Sequence, residues 1–194
     1  IFINEAGWSQ AKYNAIVGGV VVFGAMFGQI FGGLLGDKFG TRRVAMVGFL
    51  TLSLANAALA MLEPLWTNTT VMTIFLIVQA FVAGIAWICI ISLAMRLTWS
   101  KVGGTQFTAY MSLFNLSGVT AYLLTERMIE IFDYSSAIYV GATLTMISAI
   151  MLIFIDEDET DRVLEGRLGD DDEDEDEWWT EEGESMEGAE LGEH

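Results

Sequence analysis

The run AIVGGVVVFGAMFGQIFGGLLG, residues 15–36, carries no charged side chain. A helix needs roughly 20 predominantly apolar residues to cross about 30 Å of hydrocarbon, and this run supplies them. A soluble amphipathic helix would show a charged stripe every three to four residues, and none is present. Nor does polarity alternate with the period of two that a bilayer strand requires. The run therefore predicts a transmembrane helix. Residues 44–62, 71–93, 104–124 and 137–155 read the same way, again without charge. The fourth span is the least apolar, with Gln106, Ser112, Asn115, Ser117 and Thr120. Its polar groups are expected to face a cavity. The predicted fold class is all-α: a polytopic membrane protein of about five transmembrane helices.

The charge is divided along the chain. The 194 residues carry a net charge of −17. Residues 156–194 hold 20 acidic and 2 basic side chains, whereas residues 1–155 hold 6 acidic and 7 basic ones. The expected organisation is an external loop at 1–14, a five-helix transmembrane bundle at 15–155, and a disordered acidic tail at 156–194. Such a tail cannot bury enough apolar surface to offset chain entropy. It reads as a solvated spacer, with Trp178 and Trp179 as the anchor of an alternative partner-binding role. Residue 1 is Ile rather than Met, so the chain reads as a fragment or as starting downstream of its natural beginning.

Basic residues set the expected orientation. Lys38, Arg42 and Arg43 follow the first span, and Arg96 and Lys101 follow the third. The opposite side holds only Lys12 and Arg127 among several carboxylates. The first set is expected in the cytoplasm, and the tail with it. The localisation implied is an integral, multi-pass protein of the cell or inner membrane.

Between the first two spans runs Gly33-Leu-Leu-Gly-Asp37-Lys38-Phe-Gly40-Thr41-Arg42-Arg43. Gly33 is expected to let another helix approach closely, and Gly40 to permit a tight turn. Asp37 lies at a membrane boundary, where a carboxylate favours the positive end of a facing helix. The segment resembles the cytoplasmic signature of the major facilitator superfamily. Lys38 fills its first basic position and Arg42 its last, while Thr41 departs from the usual basic residue. The resemblance implies that the loop latches two halves of a transporter on the cytoplasmic side. Gly33, Asp37, Lys38, Gly40, Arg42 and Arg43 are then gate residues. Gly24, Gly28, Gly32 and Gly36 form a ladder every four residues, which fits a rocking seam, a static helix contact or a homodimer face.

In that superfamily the signature loop joins the second and third helices of a six-helix half. The five spans here then match the last five helices of a half. The long tail favours the carboxy-terminal half, with the amino-terminal half as a missing partner. The stretch from Gly104 to Ser117 is similar to a segment of the muropeptide permease and acetyl-coenzyme A transporter branch, through Thr105, Gln106, Phe107, Ser112, Leu113, Asn115 and Leu116.

Mid-span polar groups in hydrocarbon cost several kcal/mol unless partnered, so they tend to face a cavity or a neighbouring helix. The cavity candidates are Gln29, Gln79, Trp87, Ser92, Gln106, Tyr110, Asn115 and Thr120. Each has a bland alternative as a helix–helix or own-backbone hydrogen bond. Offsets of four and five put Gln106 and Tyr110 on one face and turn Asn115 partly away.

The function expected is secondary active or facilitative transport of a small solute by alternating access across a lipid bilayer. A muropeptide-like or coenzyme-A-type substrate follows from the branch resemblance. The alternative is a non-transporting scaffold or receptor presenting the acidic tail. No enzyme is expected: the sole His is His194, at the chain end. No cofactor, metal site or nucleic-acid partner is indicated, because phosphate-loop and zinc spacings and a basic patch are all missing. Cys89 is the single cysteine and permits no intrachain disulfide.

Overall fold

The computed structural model describes residues 2, 3, 6–99, 102–155 and 162. The expected acidic tail lies outside the described residues, Arg162 excepted. Five long helices make up the rest: α1 Gln10–Phe39, α2 Thr41–Met61, α3 Thr69–Arg96, α4 Gly103–Ile131 and α5 Tyr134–Met151. A 3-10 turn, Leu152–Phe154, extends α5. Each predicted span coincides with one helix. Four helices are long and apolar enough to cross a membrane. The exception is α4, which at 29 residues is long enough but falls short on composition. The chain is an all-α polytopic membrane protein.

The ends are set by local chemistry. At its start, α1 is capped by Ser9, whose hydroxyl accepts from the Lys12 N–H at 3.3 Å. This carries the helix five residues beyond the apolar run that predicted it, from 15 back to Gln10. Gly40 ends α1 at φ +91°, a conformation that L side chains rarely adopt. Pro64, in a 3-10 turn, follows α2. Asn68 caps α3, its Oδ1 accepting from Thr70 and Val71 N–H at 3.1 and 3.3 Å. Asp133 caps α5 by accepting from the Ser136 N–H. Within α1, Ile16–Val21 adopts π-helical geometry, in the segment that contains Gly18 and Gly19.

Short turns make successive helices antiparallel and give the bundle two ends. The basic end collects the α1–α2 turn, the end of α3 and the end of α5. The acidic end collects the turns on either side of Pro64 and Asp133, joined where Ser135 Oγ donates to Glu63 Oε2 at 2.9 Å. There Trp8, Leu59, Trp66 and Met72 form an apolar cluster, and the Trp66 indole donates to the Leu59 carbonyl.

The glycine ladder packs α1 against α3. A Cβ on Gly28 would collide with the backbone of Phe81, and one on Gly32 would come within 2.8 Å of Ile85 Cα. From the other side, Gly84 meets the backbone of Ala25. The ladder is thus an intrachain contact, which removes the homodimer reading for Gly28 and Gly32. Close backbone approach of this kind supplies dispersion contacts where lipid offers no hydrophobic drive. Helix α2 packs on α5, where buried Ser53 donates to the Ala142 carbonyl at 2.7 Å. It also meets α3, with Gly48 against Ala86. The exterior is apolar: Leu54 is 69% exposed and Leu34 63%. A water-soluble bundle would hide such residues, whereas hydrocarbon accepts them. By contrast, α4 has no buried residue.

Candidate functional site

The turn from Gly33 to Arg43 divides its side chains between two depressions. Gly33 and Asp37 line a cleft of about 260 Å³ at the basic end, between α1 and α3. Thr41 closes one side, and Cys89, Ser92 and Met95 of α3 form the other. Asp37 is exposed at this cleft, while Thr41 is buried. Cys89 is also buried, its thiol donating to the Gly32 carbonyl at 3.5 Å. Ser92, a weaker candidate from sequence, is thereby brought to the same cleft as Asp37.

The three cations point in different directions. Arg42 folds inward: its Nε donates to the Leu152 carbonyl at 2.8 Å, and an Nη donates to the Ile153 carbonyl. Cationic donors at the carbonyl end of a helix are favourable for both hydrogen bonding and dipole. Lys38 lies over the Phe39 ring, 5.2 Å from its centroid. Arg43 is exposed and lines a separate groove with Phe39 and Val44.

Gly33 departs from expectation. An added Cβ there would meet nothing within 4 Å among the described residues, so none of the described helices approaches it. The close approach falls instead on Gly32, the preceding residue, and on Gly28, four residues before that. Gly40 does form the tight turn, at φ +91°.

The cavity candidates separate into engaged and open groups. Gln79 is engaged, its Nε2 donating to Asn56 Oδ1 at 2.9 Å across the α2–α3 contact. Gln106 and Tyr110 share a face and a hydrogen bond of 2.7 Å. Gln106 also accepts from the Trp99 N–H at 3.1 Å and donates to the Leu97 carbonyl at 3.2 Å. It therefore ties the start of α4 to the end of α3. Gln29, Trp87 and Asn115 are exposed. Asn115 donates to its own helix at the Met111 carbonyl, 2.9 Å away, which leaves its Oδ1 as an acceptor. Thr120 bonds the Leu116 carbonyl of its own turn. Trp87 stands 5.8 Å from Phe114, centroid to centroid, where α3 meets α4.

Two features escaped sequence reasoning. Asn56 is the partner of Gln79, but nothing in a span of this composition singles out one Asn. The Arg42 contact joins residues 110 apart in the chain, which no local pattern encodes. Among the described residues, no group of three His, Cys, Asp or Glu side chains could hold a metal ion.

The family model for the Major Facilitator Superfamily matches residues 1–178. No curated protein and no solved structure is significantly matched.

Proposed function

The chain belongs to the Major Facilitator Superfamily, and from that premise we propose that it moves a small solute by alternating access together with a second helical half. Its family consists of transmembrane solute transporters, not enzymes. Membership also disfavours a scaffold that only displays a tail. The observation that supports this reading is the cleft at the basic end. There the closely packed α1–α3 seam runs out into Asp37, Thr41 and Ser92. A carboxylate so placed suits a latch that another helix engages in one state and leaves in the other. We take the basic end as cytoplasmic from the distribution of Lys and Arg.

Solute contact is assigned to the open side chains Gln29, Trp87 and Asn115, which stand exposed on α1, α3 and α4. The substrate class follows the resemblance of 104–117: muropeptide-like or a coenzyme-A ester. The carboxy-terminal half remains our assignment for the chain. Uptake of labelled solute by the full-length protein tests these assignments, with Asp37→Asn and Asn115→Ala as variants. Asp37→Asn is expected to slow turnover with little change in KM. Asn115→Ala is expected to raise KM. Unchanged uptake in both removes the gate and the pocket together.

A further inference from the structure

A second depression, of about 400 Å³, shares no lining residue with the Asp37 cleft. Phe39, Val44, Val47, Val82 and Ile85 wall it, and Gly48 lies among them where α2 meets α3. Arg43, at its basic end, is the one charged residue in the lining. Thr51 stands eight residues further along α2, which is about 12 Å of helix. That is close to the depth of one leaflet, half of about 30 Å of hydrocarbon. The Thr51 hydroxyl is folded onto the Val47 carbonyl at 2.8 Å, so the deep end presents no free donor.

Charge gathers only at the mouth. Lys38 does not line the groove itself but sits over the ring of Phe39, which does. Neither cation pairs with a carboxylate among the described residues. The first turn of α2 adds to this, because its N-cap, Gly40, provides no side-chain cap. Unsatisfied N–H groups at a helix start favour an anion.

We infer that this groove holds an anionic glycerophospholipid of the leaflet at the basic end. One acyl chain lies along α2 between Val44 and Thr51. The phosphate sits among the Arg43 guanidinium, the Lys38 ammonium and the first-turn N–H groups of α2. A guanidinium suits a phosphate because two parallel N–H donors meet two oxygens. A zwitterionic choline headgroup brings its own cation to that mouth and cancels the attraction. The occupancy is independent of which solute is carried.

Native mass spectrometry of the delipidated full-length protein tests this, with dioleoylphosphatidylglycerol and dioleoylphosphatidylcholine as probes. The first phosphatidylglycerol is expected to bind more tightly than phosphatidylcholine. Arg43→Gln and Lys38→Gln should each weaken it about fivefold. Val47→Trp fills the groove without altering charge, and should weaken it too. Arg127→Gln removes one positive charge at the acidic end and should leave it unchanged. Equal affinity for the two lipids, or an Arg127→Gln effect matching that of Arg43→Gln, overturns the inference. A dimer lost in Val47→Trp, with phosphatidylglycerol binding intact, would give the groove to a second copy of the chain instead.

Discussion

The Arg42 Nε donates to the Leu152 carbonyl oxygen at 2.8 Å, bridging 110 residues of sequence. The start of α2 is thereby fastened to the carbonyl end of α5. One cation of the signature turn is spent inside the bundle, and Lys38 and Arg43 are the ones left facing outward. The turn is therefore a structural joint as well as a candidate gate.

Arg42→Gln should lower stability by about 1–2 kcal/mol, since it removes charged donors from the terminal carbonyls. Arg42→Lys should recover part of the loss through charge alone. Arg43→Gln, which takes away an exposed cation, should shift the melting midpoint much less. Thermal unfolding of the three variants in one detergent checks the order. Equal midpoints for Arg42→Gln and Arg43→Gln would contradict it.

Gly28 and Gly33 lie on one helix and make opposite predictions. At Gly28 a methyl group would strike the Phe81 backbone, which cannot move like a side chain end. Gly28→Ala should cost about 1–3 kcal/mol through overpacking and should reduce the folded yield. At Gly33 the space is open among the described residues. Gly33→Ala should be neutral or stabilising by up to about 1 kcal/mol from helix propensity. If Gly33→Ala keeps stability but loses uptake, the space beside Gly33 is used by a helix outside this chain.

Asn56 and Gln79 share one hydrogen bond across α2 and α3. Interhelical hydrogen bonds in membranes average about 0.6 kcal/mol. Asn56→Ala and Gln79→Ala should therefore cost similar small amounts, and the double variant little more than either. KM should stay constant in all three, because the amide of Gln79 is taken up by its neighbour. A KM that rises for Gln79→Ala alone would return that residue to the solute site.

How far the sequence discloses this arrangement depends on the range of each interaction. The five helices are legible because charge-free length is a local property with one solution in lipid. The turn at Gly40 is legible too, since few residues accept positive φ. The glycine ladder announces close packing, but its partner face on α3 is carried by Phe81, Gly84 and Ile85, which resemble their neighbours. In the same way, Gln79 reads as a cavity residue until its distance to Asn56 is known. Gln29 and Asn115 make no interhelical hydrogen bond among the described residues, and their place at the solute is a proposal for the uptake variants to test. Polarity within a span shows that a side chain needs a partner. Which partner it finds is a tertiary fact.

Gln106 offers the sharpest separation of structure from solute contact. Its oxygen accepts from the Trp99 N–H, and its nitrogen donates to Leu97 and Tyr110. One side chain thus meets two backbone groups near the end of α3: the Leu97 carbonyl, of the kind that a helix end leaves without an intrahelical partner, and the Trp99 N–H just beyond it. Gln106→Ala removes both of these bonds, and each lost hydrogen bond costs about 1 kcal/mol. Because these groups lie beside a connection rather than a core, the loss should appear as local opening. Hydrogen exchange should speed up at residues 97–99 and leave α2 and α5 unchanged. Tyr110→Phe removes one bond only and should move exchange there much less. Uptake separates the roles. A staple predicts that Gln106→Ala lowers the maximal rate or the folded yield while KM holds. A solute ligand predicts a raised KM with normal exchange at 97–99, and that pattern would reassign Gln106 to the cavity.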